Sequence, residues 1–149
     1  MPRIERTAEV VWTGNLARGS GSISAGTSGA FHALGFSLPA RIGEPEGRTS
    51  PEELLAAAHG GCLTMSLASE LTSGGTPPER LEVGCRIVMD EVEGQGHQIV
   101  GSQLEAVVAA EGVDDAGLRA ALAKADEGCP FSQLLRRAGA EVTVSGRLA

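Results

Sequence analysis

The stretch Ser50-Pro51-Glu52-Glu53-Leu54-Leu55-Ala56-Ala57-Ala58-His59-Gly60-Gly61-Cys62-Leu63-Thr64-Met65-Ser66-Leu67 decides how the rest of the chain is read. It opens as a helix does. Ser50 is a capping residue type, Pro51 suits the first helical position because it has no N–H to leave unpaired, and Glu53 is placed to complete a capping box. Glu52 and Glu53 favour the positive end of the helix dipole. The apolar pattern runs to about Leu71, and Gly74-Gly75 is a stop signal. The prediction is a helix of roughly six turns, about 30 Å long. From Leu54 onward its residues are apolar or small on nearly every side, which predicts burial on most faces. His59, Ser66, Ser69 and Glu70 interrupt it, and no apolar run reaches the roughly 18 residues of a membrane span.

Cys62 lies in the middle of this helix. A free cysteine by itself is simply a residue type that is often buried. Its neighbours make it more interesting. His59 lies one turn before it on the same face. Gly60 and Gly61 precede it, although glycine inside a helix costs about 1 kcal/mol relative to alanine. Either another element packs closely here, or some group must approach the backbone beside the thiol.

The chain has 149 residues, enough for one domain with its own core, spanning 1–149. It is 42% hydrophobic and 21% charged, the composition of a globular protein. Aromatic residues are scarce, with Trp12, three phenylalanines and no tyrosine, so stacking platforms for single-stranded nucleic acid are not expected. The net charge of −7, with no basic cluster larger than Arg136-Arg137, also argues against nucleic acid as a partner. The start, Met1-Pro2-Arg3-Ile4-Glu5-Arg6, lacks the apolar centre of a signal peptide. A cytoplasmic, reducing setting is expected. There a cysteine pair is more often catalytic or metal-binding than a structural staple.

Along the chain, Arg3 to Trp12 reads as a strand turned by Thr13-Gly14-Asn15. Arg18 to Ala25, with Gly19 and Gly21, suits the second strand of a hairpin, and Phe31 to Leu38 a third. Arg41 to Thr49 reads as a polar loop leading into the central helix. After Pro77-Pro78, Leu81, Val83, Cys85, Ile87 and Met89 alternate with Glu82, Gly84, Arg86, Val88 and Asp90. This strand puts Cys85 on the apolar face as a core residue. His97 to Ala110 is a further strand. Asp114 or Asp115 caps a helix running to about Asp126, and Gly128 ends it. Cys129-Pro130 starts another helix, and Glu141 to Leu148 closes the chain as a strand. Strands grouped before and after helices predict an α+β fold with largely antiparallel sheets. The glycines from Gly94 to Gly101 have the wrong spacing for a dinucleotide loop.

Cys129 directly precedes Pro130, near the N-cap of a helix whose unpaired N–H groups favour a thiolate. The plain alternative is a packed cysteine. Cys62 has no such help from its own helix, and burial raises a thiol pKa. If it reacts, a cation must reach it, and His59, Arg41 and Arg48 are the candidates. A metal site would have to draw on Cys62, Cys129, His59 and His32 or His97. No C-x-x-C or H-x-x-x-H pair supports one, so no metal and no cofactor is expected. A serine nucleophile elbow is also missing.

Three segments carry a resemblance. Thr49-Ser50-Pro51-Glu52-Glu53-Leu54-Leu55-Ala56-Ala57-Ala58-His59 followed by Gly60-Gly61-Cys62 resembles the T-[NS]-P-E-E-L-x-x-A-A-H-x-x-C segment of the OsmC/Ohr family, the osmotically inducible and organic hydroperoxide resistance proteins. Gly128-Cys129-Pro130-Phe131-Ser132 is similar to its G-C-P-[VI]-S segment. Trp12-Thr13-Gly14 with Gly19 and Gly21 is similar to its W-x-G…G-x-G start. The segments come in the family's order from end to end, and His59 points to the OsmC branch.

The resemblance implies antiparallel sheets around a long buried central helix, an intertwined homodimer, and a thiol peroxidase acting on organic hydroperoxides. By the family pattern Cys62 is the peroxidatic cysteine, Cys129 the resolving one, Arg41 the active-site arginine and Glu52 the carboxylate that holds it. Loop length varies before the helix, so Arg48 is an alternative to Arg41. An external dithiol, lipoyl-type in the family, is the implied reductant. Gly60-Gly61, Leu63 and Phe131 depart from the commoner residues around the cysteines and alter the pocket wall. Glu52 and Cys62 are ten residues apart on one helix, about 15 Å along its axis. Either an arginine spans part of that gap or Glu52 serves the other subunit. Two further readings compete with the peroxidase: a non-enzymatic redox sensor that uses the same thiols, and a stress-induced binding protein of the same fold.

Overall fold

The computed structural model describes residues 2–149. The chain forms two compact units, one ending at Pro51 and the other covering Glu52–Ala149.

The first unit is a three-stranded antiparallel sheet in the order β1 (Ala8–Thr13), β2 (Ser20–Ala25), β3 (Leu34–Phe36). The strand expected from Arg3 starts only at Ala8. Thr7 pins its beginning by donating its backbone N–H to the Thr27 hydroxyl at 2.8 Å. Trp12 and Phe36 flank Gly21 in the register of the sheet, and their rings meet at 5.5 Å, tilted by 51°. A Cβ on Gly21 would stand 2.5 Å from the Phe36 ring, so the aromatic cover requires glycine there. The third strand is shorter than expected because Ser37 ends it and caps a helix. Its hydroxyl accepts from the Ala40 N–H at 3.3 Å, and Pro39 lies in the first turn. The resulting α1 (Leu38–Ile42) takes in Arg41, which was expected in a loop.

The second unit begins along α2 (Pro51–Ser73), the expected long helix. Its end has the anticipated glycine signal: Thr76 N–H reaches back to Leu71 O at 2.9 Å, across Gly75 at φ +82°. One stripe of α2 is buried, formed by His59, Gly60, Leu63, Leu67 and Leu71. The opposite stripe of Ala57, Gly61, Met65 and Ser69 is exposed in the single chain. The paired glycines therefore have different surroundings. A Cβ on Gly60 would meet the Cys85 Cβ at 3.4 Å, so Gly60 marks close packing of helix on strand, while one on Gly61 would meet nothing within 4 Å.

β4 (Arg80–Val92) and β5 (Gly96–Ala109) form a long antiparallel hairpin with an irregularity between Val88 and Met89. α3 (Asp115–Gly128) and α4 (Pro130–Arg137) then carry the chain over to β6 (Glu141–Leu148), which lies parallel to β5. The sheet is thus mixed, with one antiparallel and one parallel pairing, within the largely antiparallel arrangement expected. Two helices give the crossover length that a parallel neighbour needs. The core joins Leu63, Leu67 and Leu71 of α2 to Leu104, Ala106 and Val108 of β5 and Leu118, Leu122 and Ala125 of α3, with Cys129 beside them. Among the described residues, no helix is long and apolar enough to cross a membrane.

Candidate active site

Cys129 joins two helices. It is the C-cap of α3, with its N–H on Asp126 O at 3.2 Å, and the N-cap of α4, with its carbonyl accepting from Gln133 N–H at 3.1 Å. Its side chain is fully buried and makes no cap hydrogen bond. A two-toothed ion pair braces the junction. Arg136 donates from Nη1 to Asp126 Oδ1 at 3.0 Å and from Nη2 to Oδ2 at 2.5 Å, and also to Val142 O at 3.2 Å. Such bidentate pairs are among the stronger charge-assisted contacts. The bond to Asp126 is the main reason the Arg136 pKa rises; burial opposes it, and the charges of Asp126 and Cys129 add to it.

The thiols of Cys62 and Cys129 interact, although they come from the middle of α2 and the α3–α4 junction. Both are free thiols. Burial raises the Cys62 pKa above its ordinary value, and the hydrogen bond and charge of Cys129 raise it further. The backbone of Phe131 works the other way and favours the Cys62 thiolate. Pro130 occupies the first position of α4, so Phe131 carries the first available N–H.

His59 is fully buried, as are both its hydrogen-bond partners. Its Nδ1 pairs with Ser102 Oγ of β5 at 2.7 Å, and its Nε2 with Ser132 Oγ of α4 at 2.8 Å. Burial lowers its pKa, Asp126 raises it and Arg136 lowers it, so the ring is neutral at pH 7. A neutral imidazole donates through one nitrogen and accepts through the other, and each serine hydroxyl supplies the complementary role. Ser102 Oγ also lies 3.5 Å from Cys85 Sγ. Cys85 is half-buried against the core, on the apolar side of β4 as its alternation predicted.

Glu52 lies in the first turn of α2. Arg41 closes α1 in the first unit, with its N–H on Ser37 O at 3.0 Å. Arg48, in the same unit, lines a hollow with Arg18, Ser37 and Glu46. His32 lies beside Ser24 Oγ at 3.4 Å, and His97 is exposed near the start of β5. Among the described residues, no three His, Cys, Asp or Glu side chains converge to hold a metal ion. Ser132 was within reach of sequence reading because it sits in the Cys129-Pro130-Phe131-Ser132 segment. Ser102 is one serine in a strand and gave no signal.

Residues 43–145 match the family model described as OsmC-like protein. Peroxiredoxin OsmC of Escherichia coli (strain K12) is 32% identical over 145 residues, 97% of each chain. The chain belongs to the OsmC family. Solved structures with the same fold include an organic hydroperoxide resistance protein OsmC from Legionella pneumophila, with TM-score 0.74 and 23% identity over 97% of this chain and 98% of that one. The organic hydroperoxide resistance protein OhrB of Bacillus subtilis has TM-score 0.73 and 22% identity over 95% and 98%. The OsmC-family fold explains why two cysteines so distant in sequence meet: the central helix and the α3–α4 junction pack on one core.

Proposed function

We propose that this OsmC-family chain is a cysteine-based peroxidase that reduces organic hydroperoxides to alcohols, in defence against oxidative stress. The observation that carries the reading is that Cys62 of α2 packs against the core cluster that contains Cys129, and that Cys129 and Phe131 both act on its thiol. The names of its relatives, a peroxiredoxin and organic hydroperoxide resistance proteins, support the same chemistry.

In this mechanism the Cys62 thiolate attacks the terminal peroxide oxygen. The O–O bond breaks, the alkoxide leaves and takes a proton, and Cys62 becomes a sulfenic acid. The Cys129 sulfur then displaces that hydroxyl, which leaves as water, and a Cys62–Cys129 disulfide forms. An external dithiol, lipoyl-type in this reading, reduces the disulfide by exchange and ends oxidised itself. Because burial and Cys129 disfavour the Cys62 thiolate, the reaction calls for a cation. We assign that role to Arg41, held by the Glu52 carboxylate, with Arg48 as the alternative. Residues 1–149 act as a single domain that needs no cofactor.

The working unit in this proposal is a homodimer in the cytoplasm, with active sites that use residues of both chains. The exposed stripe of α2, with Met65 71% accessible among small residues, is the surface that a second copy would cover. A monomeric mass at micromolar concentration would overturn the dimer.

The deciding experiment is intact mass after mixing reduced protein with one equivalent of an alkyl hydroperoxide. The parent should lose two hydrogens, Cys129→Ser should gain one oxygen, and Cys62→Ser should not change. Catalytic cycling with a dithiol then separates an enzyme from a redox sensor, which oxidises once. If the parent stays unmodified and peroxide is consumed no faster than in buffer, the peroxidase reading falls.

A further inference from the structure

The buried His59–Ser102–Ser132 chain lies outside the steps described above. Among the described residues it makes no hydrogen bond to the Cys62 or Cys129 sulfur, its one sulfur contact being Ser102 Oγ on Cys85 Sγ at 3.5 Å, yet it joins the elements that carry or flank both reacting cysteines. His59 comes from α2, one turn before Cys62. Ser102 comes from β5, and Ser132 lies in the first turn of α4, directly after Phe131. All three side chains are fully buried, and both ring nitrogens are used, at 2.7 and 2.8 Å. No described buried side-chain polar atom is left unpaired.

A buried histidine is expensive unless both nitrogens are satisfied, and apolar packing would hold a helix against a sheet without it. What apolar packing cannot do is set the rotation and slide of a two-turn helix to within a fraction of an ångström. A pair of directional bonds can. Ser102 sets the rotation of the imidazole, and the imidazole then presents Nε2 to Ser132. The first turn of α4 carries Ser132 and the Phe131 N–H, with Cys129 immediately before it, so the bond that places Ser132 also places the other two.

We propose that His59 is a positioning residue for the resolving step: its bond to Ser132 locks the start of α4 so that the Cys129 sulfur is in line with the Cys62 sulfenic acid. The proposal rests on the two-cysteine reading above. In the step concerned, the Cys129 thiol loses its proton, its sulfur bonds to the Cys62 sulfur, and the Cys62 hydroxyl leaves as water. His59 takes no part in the bond changes. The two sides of the imidazole have different roles, the Ser132 side setting the thiol geometry and the Ser102 side orienting the ring.

Amide substitutions separate the two sides. A glutamine amide reaches the place of the imidazole Nε2, so His59→Gln keeps a partner for Ser132. An asparagine amide reaches the place of Nδ1, so His59→Asn keeps a partner for Ser102 and loses Ser132. The test follows Cys62 sulfenic acid by dimedone trapping and Cys62–Cys129 disulfide by intact mass, after one equivalent of tert-butyl hydroperoxide. Sulfenic acid formation, read on the Cys129→Ser background, should slow by less than disulfide formation in His59→Asn and Ser132→Ala, because Phe131 is one of several influences on the Cys62 thiolate. Disulfide formation should slow roughly tenfold in His59→Asn and Ser132→Ala, the scale of one lost buried hydrogen bond. It should stay near the parent rate in His59→Gln. Excess peroxide should drive the slow variants to Cys62 sulfinic acid.

Closure of the same thiol pair by diamide, which oxidises two thiols and is itself reduced to a hydrazine, reads the geometry without peroxide and should follow the same order. Parent-like disulfide formation in His59→Asn and Ser132→Ala would overturn the proposal. So would equal slowing in His59→Gln, which would mean that the imidazole merely fills space. If Cys129→Ser forms no sulfenic acid and the parent no disulfide with peroxide, the peroxidase reading fails, and the diamide series still decides the role of His59.

Discussion

The two units of the chain are built on different terms. From Glu52 onward, a cluster of leucines, valines and alanines from α2, β5 and α3 is sealed from water, with Leu63 and Leu67 at zero exposure. Up to Pro51, the only described apolar side chain that is buried is Ile23, at 8% exposure, while Val10 and Val11 of β1 are about 60% exposed. A three-stranded sheet needs an apolar face covered to be stable, and the first unit's own residues supply little of that cover. The thiols belong to the self-sufficient unit, and Arg41 and Arg48 to the other. The lesson is that the reacting sulfur and its proposed activator have separate structural support, and mutations should separate them too.

The largest expected effect is chemical. Cys62→Ser should reduce peroxide consumption to the rate in buffer, measured by peroxide loss with a dithiol present. Residual turnover would move the reaction away from the second unit's thiol pair. Next is the core. Leu67→Ala should cost about 2–5 kcal/mol in denaturant unfolding, the range for a fully buried leucine. A cost near zero would mean that the contrast between the units is not energetic.

Arg41→Ala should slow peroxide attack about tenfold for each pH unit by which the Cys62 thiolate titration rises, with the unfolding midpoint little changed. An unchanged thiolate titration in that variant would pass the role to Arg48, since His59 is neutral and has both ring nitrogens paired.

A smaller effect comes from acid. Burial depresses the His59 pKa below the ordinary histidine value of 6.5, against the pull of Asp126 and with the help of Arg136. The unfolded chain therefore takes up a proton that the folded one resists. The stability this gives is intact above pH 6.5 and is lost as pH falls toward the folded pKa, at up to about 1.4 kcal/mol per pH unit. The melting midpoint between pH 7.5 and 5 should fall further in the parent than in His59→Gln, and equal slopes would remove His59 as the cause. Val10→Ala should be the mildest change, within about 0.5 kcal/mol for an exposed residue. A loss as large as that of Leu67→Ala, and dependent on protein concentration, would show β1 to be covered in an assembly.

Sequence reading succeeded where the signal was local. Pro51-Glu52-Glu53 and Gly74-Gly75 framed α2, the alternation from Leu81 to Asp90 marked β4, and Cys129-Pro130 started α4. It failed where two local readings competed. Ser37-Leu38-Pro39 is a helix start, but it follows Phe31 to Phe36 so closely that the whole stretch reads as strand. It said nothing of the direction of β6, whose alternation is the same whether its neighbour runs parallel or antiparallel.

The sequence by itself determined the family and most of the elements, among them α2, β4 and α4, because caps, periodicity and the Ser50 to Cys62 and Gly128 to Ser132 segments are encoded within a few residues of one another. Tertiary structure alone decided which groups meet. It packed Cys62 against the core that holds Cys129, faced Gly60 to Cys85 while leaving Gly61 open, and joined His59 to Ser102 and Ser132. A hydrogen bond across 43 or 73 residues leaves no local pattern. Its partners are chosen by how the helix and the sheet pack on their shared core.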